Sequence, residues 1–334
     1  MEVIKPESLK KGDTIGVITP ASPLTKNRLD LVNLKVRQLE SMGYKVHFGR
    51  NYNKDLGHKA GTPEERLADL MEMFENKEIK AIITARGGYN SNELLDSIDY
   101  NIIRKNPKIF CGFSDITFLH CAIHTKTGLA TFYGPNLNTR FALPGEDPGY
   151  TLNYFNKVLT EKNDRLKIMP SSRFTFLREL EIPEDKLYAT AWKTLKEGSA
   201  EGKLVGGHIF TFLDLAGTEY LPDFSDKILF WEDTESTTAL TDRSLHQMKM
   251  LGILDEIKGM IVGRTNDLEY KTDDQNYPLD KIIIEATKGY DFPIISGMDF
   301  GHTTPMFTIP YGINARISAN MAEQSFELTE SAVI

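Results

Sequence analysis

Cysteine is nearly absent: the chain has only Cys111 and Cys121 in 334 residues, and their spacing fits no metal motif. That gives no basis for a disulfide framework, and both thiols are expected to be reduced in apolar surroundings. No apolar run approaches the roughly 18–20 residues that cross a bilayer. The opening stretch "MEVIKPESLKKGD" has neither an apolar h-region nor a small-residue cleavage site. The expectation is a soluble, cytoplasmic protein with no membrane partner. Lys and Arg number 39 against 47 Asp and Glu, and the net charge of −8 is not concentrated in any block. A nucleic-acid surface needs clustered basic residues, so nucleic acid is not an expected partner.

Several chemical motifs are missing too. The first strand-like run ends in "TPAS" rather than the G-x-G-x-x-G that approaches a pyrophosphate, and there is no P-loop or H-E-x-x-H helix. Neither cofactor nor metal is expected. The Gly-Gly turn in "RGGYN" (Arg86–Asn90) reads as a tight strand-to-helix turn more readily than as a phosphate cradle.

The hydrophobic fraction of 40% supports a packed core. The first half alternates strand-like and helix-like segments. "DTIGVITPAS" leads into a helical pattern over Asn27–Met42, where Leu29, Val32, Val36 and Leu39 share one face. "YKVHFG" precedes a helix over Pro63–Asn76, with Thr62 as N-cap and Glu65 completing a capping box. "IKAIITARGGYN", a helix start at Ser91–Leu95, "KIFCGFS", a helix over Ser114–Thr125 and "GLATFYGP" continue the alternation. This order predicts βαβ units and a parallel sheet, flavodoxin- or Rossmann-like, with ligands at the carboxyl ends of its strands. Ser22, Gly87-Gly88, Ser114 and Tyr133-Gly134 fall at those ends.

Leu137–Glu201 is rich in turn formers and reads as a linker. Beyond it, "GKLVGGHIFTFL", "KILFWEDT", "GMIVGR" and "FPIISGMDF" read as short strands, with helices over Thr241–Leu251 and Leu279–Thr287. The predicted organisation is an α/β fold in two parts. Residues 1–160 form a parallel-sheet domain, and residues 161–334 hold the linker and a smaller α/β domain rich in short strands.

Ser114 stands between a strand and a helix, where a hydroxyl can be exposed with helix N–H donors behind it. The N–H of Asp115, and that of Gly88 on the neighbouring strand end, can then serve a developing oxyanion. Serine is also a common helix cap, and the stretch alone favours that reading. A nucleophile needs a base. His120 would lie about 9 Å along the helix from Ser114, beyond hydrogen-bond reach. His208 follows Gly206-Gly207 at a strand entry, and His302 in "DFGHTTP" is the best placed, on a strand-end loop. Glu232 or the adjacent Asp233, at the end of a buried strand, can orient the base; the pattern does not separate them.

"RGGYNSNELLDSIDY", "KIFCGFSDITFLH", "TFYGPN", "GKLVGGHIFTF", "KILFWEDT" and "DFGHTTP" occur in that order. Together they resemble the LD-carboxypeptidase family of serine peptidases, which includes the microcin C self-immunity peptidases. The resemblance spans about Asp13 to Gly312. It implies Ser114 as nucleophile, His302 as general base, Glu232 as its orienting carboxylate and Gly88 and Asp115 as the oxyanion hole. It also implies a homodimer and a small peptide or peptidyl-nucleotide substrate. The family usually has asparagine where this chain has His208, which makes that residue a candidate substrate contact. Trp192, in "LYATAWKTLKEGS", is a candidate to stack on a nucleobase. The preferred activity is cleavage of the amide between a peptidyl or aminoacyl carboxyl and a nucleotide phosphate or sulfamate. The alternatives are release of D-alanine from cytosolic murein tetrapeptides and, in another class, a non-catalytic two-domain binding protein.

Overall fold

A computed structural model describes residues 2–139, 149–176, 182–234, 237–265 and 277–334. All but the last two residues of "ALPGEDPGY" and part of "MPSSRFTFLRELEIPED" lie outside these residues. Strands β1 (Thr14–Ile18), β2 (Lys45–Phe48), β3 (Ile79–Thr84), β4 (Ile109–Gly112) and β5 (Phe132–Tyr133) run in parallel. Helices α1 (Lys26–Ser41), α2 (Pro63–Glu75), α3 (Tyr100–Lys105) and α4 (Thr117–Thr127) alternate with them. In α2 the Thr62 hydroxyl accepts the Glu65 N–H while the Glu65 carboxylate accepts the Thr62 N–H, the reciprocal capping expected from sequence. β3 lies mid-sheet and is buried at every residue but Lys80, which is why it reads as a largely apolar run. The edge strand β2 instead alternates exposed and half-buried residues.

The later strands are β6 (Leu166–Ile168), β7 (Arg173–Phe174), β8 (Tyr188–Ala189), β9 (Lys193–Lys196) and β10 (Gly198–His208). They are followed by β11 (Ile228–Glu232), β12 (Gly259–Gly263), β13 (Ile294–Met298), β14 (Ile309–Pro310), β15 (Asn314–Ala319) and β16 (Gln324–Leu328). Among the described residues these give an eight-stranded sheet in the order β6-β16-β15-β10-β11-β12-β13-β9 and a β7-β8 ribbon. β10 to β13 form its parallel centre. β14 goes elsewhere: it pairs antiparallel with β5, Ile309 opposite Tyr133, and completes the first sheet as β14-β5-β4-β3-β1-β2. Pro310 is tolerated there because β14 is an edge strand.

Three expectations change. The segment read as a linker contains the helix Tyr150–Leu159, with Thr151, Tyr154, Phe155, Val158 and Leu159 on its buried face, and strands β6 to β9. These strands are only two to four residues long, too short for periodicity to show. "IFTFL" is helical (Ile209–Leu213) rather than a continuation of β10, since a short apolar run cannot by itself distinguish the two. Ser114–Ile116 is a 3₁₀ turn before α4, with no side-chain cap at either start, so Ser114 is not a helix cap.

The sheets meet where the backbone is bare. A Cβ on Gly207 would come within 2.5 Å of Thr117 Cγ2, and its absence lets the His208 N–H donate to Thr117 Oγ1 at 3.0 Å. Among the described residues no helix is long and apolar enough to cross a membrane.

Burial pushes His120, His124 and His208 down to about 4 from the usual 6.5. With folded values below unfolded ones, the unfolded chain binds more protons between these limits. Stability should therefore be fully present above about pH 6.5 and fall as pH drops toward 4. Thermal unfolding followed between about pH 8 and pH 5 checks this; a melting temperature that stays level across the range contradicts it.

Candidate active site

β4 ends at Gly112, and Ser114 adopts a left-handed backbone with φ of 71°. That region is uncommon and costly for a residue with a Cβ, and it turns the hydroxyl away from the strand direction. The conformation is held on both sides. The Ser114 N–H donates to the Tyr133 hydroxyl at 3.3 Å, and the Ser114 carbonyl accepts from Thr117 Oγ1 at 2.7 Å.

Ser114 Oγ lies 3.0 Å from His302 Nε2, and His302 Nδ1 lies 2.7 Å from Glu232 Oε2. The carboxylate's other oxygen accepts from the Tyr133 hydroxyl. Phe113 packs edge-on against the His302 ring at 4.9 Å. Gly301 fits this point for a steric reason: its φ is 94°, and a Cβ would lie 2.6 Å from Glu232 Cγ. Glu232 and His302 are buried. Burial alone would raise the Glu232 carboxyl, but the His302 charge and hydrogen bond, His208 and the Tyr133 hydroxyl hold it at about 2. The carboxylate is therefore ionised at neutral pH.

The ambiguity between Glu232 and Asp233 disappears, because Asp233 Oδ2 accepts from Thr241 Oγ1 and not from His302. Four other histidines are occupied elsewhere. His120 bonds the Gly112 carbonyl and Thr131, His124 bonds the Leu129 carbonyl, and His47 and His246 face Glu72 and Asp242.

Gly88 and Asp115 both line the cavity beside Ser114. A Cβ on Gly87 would sit 2.9 Å from Ser114 Cβ, and Gly88 has a φ of 121°. Ser22 braces this turn: its hydroxyl accepts the Tyr89 N–H at 3.1 Å and donates to the His58 carbonyl at 3.0 Å. Arg66, fully buried, donates to the carbonyls of Pro20 and Asn90 at 2.8 and 2.9 Å. The Asp115 carboxylate, pushed up by burial, accepts the Ser91 N–H at 2.9 Å. Sequence reading missed Ser22, Arg66 and Tyr133 as contributors. The position of Ser22 and Tyr133 at strand ends flagged those two as facing the site without giving either a role.

The cavity measures about 610 Å³, and its lining includes Arg28, Arg86 and Arg243 alongside Asp115 and Asp214; guanidinium groups can pair with an anionic ligand. His208 also lines it, with Nδ1 2.9 Å from Thr211 Oγ1 and its ring 5.7 Å from that of His302. Its Nε2 has no partner among the described residues. Trp192 is different: it is buried, its Nε1–H donates to Asp299 Oδ2 at 2.7 Å, and it does not line the cavity. The indole expected to stack on a nucleobase is thus packed in the interior, bonded to Asp299. The indole anchors the segment ahead of β9 to the start of the His302 loop. Among the described residues no group of three or more His, Cys, Asp or Glu gathers that could hold a metal ion.

Sequence models of the LD-carboxypeptidase N-terminal domain and C-terminal domain match residues 15–134 and 201–317. A probable murein peptide carboxypeptidase of Bacillus subtilis is 36% identical over 321 residues, covering 96% of this chain and 93% of the relative. The microcin C7 self-immunity protein MccF of Escherichia coli is 30% identical over 332 residues, covering 96% and 94%. A solved structure of MccF in complex with aspartyl sulfamoyl adenosine superposes with a TM-score of 0.91 at 29% identity, covering 99% of this chain and 100% of that one. The chain belongs to the LD-carboxypeptidase family and is a hydrolase of the serine carboxypeptidase and amidase type.

Proposed function

We propose that Ser114, His302 and Glu232 form a catalytic triad that hydrolyses an amide through an acyl-enzyme. The unbroken line of hydrogen bonds from Ser114 Oγ through His302 to an ionised, buried Glu232 carries this reading. In the first step the Ser114 oxygen bonds to the substrate carbonyl carbon while its proton passes to His302 Nε2. Glu232 stabilises the imidazolium through Nδ1. The N–H groups of Gly88 and Asp115 take the charge that develops on the carbonyl oxygen. Collapse of the intermediate breaks the C–N bond, and His302 gives its proton to the departing nitrogen. Water then attacks the ester as His302 takes one of its protons; collapse breaks the bond between the acyl carbon and Ser114 Oγ, His302 returns the proton to that oxygen, and the carboxyl product leaves.

The substrate proposed is an aminoacyl or peptidyl group joined through an amide to a nucleotide phosphate or sulfamate. The arginine-lined cavity and the close backbone match to MccF bearing aspartyl sulfamoyl adenosine support it. The second reading, release of the terminal D-alanine of a murein tetrapeptide, draws on the similarity to the B. subtilis murein peptide carboxypeptidase. Guanidinium groups bind a peptide carboxylate as readily as a phosphate.

Ser114→Ala should lower kcat by about 10⁴-fold or more while leaving the circular dichroism spectrum unchanged. Near-wild-type turnover would remove Ser114 from the mechanism. In a side-by-side assay the wild-type chain should cleave aspartyl sulfamoyl adenosine faster than a murein tetrapeptide; cleavage of only the tetrapeptide selects the second reading. His208→Asn should change the ratio of kcat/KM for these substrates by about 10-fold, since it alters a polar contact beside the reacting centre. An unchanged ratio removes His208 from substrate recognition.

A further inference from the structure

The Ser114 backbone and the Glu232 carboxylate meet at one oxygen atom. The Tyr133 hydroxyl accepts the Ser114 N–H at 3.3 Å and donates its single proton to Glu232 Oε1. The other carboxylate oxygen is 2.7 Å from His302 Nδ1. Tyr133 ends β5, which lies between β4, leading to Ser114, and β14, which follows the His302 loop. Its ring is fully buried against Phe113 and Phe230, with centroids 6.2 and 5.4 Å away. Burial and the neighbouring Glu232 charge push the phenol well above its usual range, so the proton stays on the oxygen.

The geometry points to Tyr133 as a positioning residue that sets the nucleophile's left-handed backbone and the orienting carboxylate in one frame. This inference rests on the triad reading above. One consequence concerns the oxyanion: with the Ser114 N–H engaged by Tyr133, the donors available beside Ser114 are those of Asp115 and Gly88. A second consequence concerns protonation. A hydrogen bond donated to Oε1 draws negative charge from the carboxylate and limits how strongly Glu232 favours the imidazolium form of His302. The titratable groups acting on Glu232 are His302 from the loop, His208 from β10 and Tyr133 from β5.

Tyr133→Phe removes one oxygen and keeps the ring. It should lower kcat by about 10- to 100-fold, in line with loss of a hydrogen bond to a charged group, with KM little changed. The acid limb of the kcat/KM profile should move to higher pH, a displacement that loss of packing would not produce. Genetically encoded 3-fluorotyrosine at position 133 keeps the shape and makes the phenol a stronger donor. It should move the same limb to lower pH, and it serves as the test should the Phe variant not fold. If both limbs stay at the wild-type position, Tyr133 has no such role. Ser114→Ala is run alongside: an inactive Ser114→Ala with wild-type behaviour in both Tyr133 variants overturns the role of Tyr133 alone. A fully active Ser114→Ala instead overturns the triad, and the role of Tyr133 with it.

Discussion

The pairing of Ile309–Pro310 with Phe132–Tyr133 decides where the chemistry sits. It takes a segment from the C-terminal half and adds it to the first sheet as an edge strand. The residues between β13 and β14 are thereby strung between the two sheets, and His302 lies on that span. At its near end, buried Asp299 accepts hydrogen bonds from Arg264 at 2.6 Å, Trp192 at 2.7 Å and the Ser171 N–H at 3.1 Å. At its far end Thr308 packs where a Cβ on Gly134 would lie 3.0 Å from it. A histidine fixed at both ends in this way can hold a 3.0 Å contact to Ser114 without help from the substrate.

Charge burial on this scale is tolerated only because each carboxylate is supplied with donors. An unpaired carboxylate in an apolar interior would neutralise itself by shifting its pKa upward. Glu232 does the opposite, since His302 and Tyr133 serve its two oxygens. The backbone at Ser114 is the other unfavourable element, at roughly 1–3 kcal/mol for a residue outside the usual dihedral regions. The bonds to Tyr133 and Thr117 help to offset it, and Thr117 in turn receives the His208 N–H from the second sheet. The Ser114 backbone, the Glu232 carboxylate and the sheet contact are thus mechanically coupled.

Some of this was legible in the sequence and some was not, for identifiable reasons. Buried strands such as β3 and β11 announce themselves as largely apolar runs, and Thr62 with Glu65 declares a helix start. Ser114 misled locally because residue type does not encode a positive φ outside glycine, so a cap was the natural reading. Asp233 and Glu232 looked alike until Thr241, eight residues on, claimed the aspartate. Trp192 read as a candidate to stack on a nucleobase because its partner, Asp299, lies 107 residues away. The two-residue strand β14 carries no periodic signal, yet it fixes the position of His302. The ordered family motifs supplied what local pattern lacked, except for Ser22, Arg66 and Tyr133, whose roles arise from contacts between distant segments.

The central claim is that His302, held by Glu232, makes the Ser114 hydroxyl nucleophilic. Treatment of the intact protein with a fluorophosphonate, followed by peptide mass spectrometry, reads this most directly. The account predicts one adduct, on Ser114, formed at a rate that collapses in His302→Gln. An adduct on another residue, or equal labelling of Ser114 without His302, would contradict it.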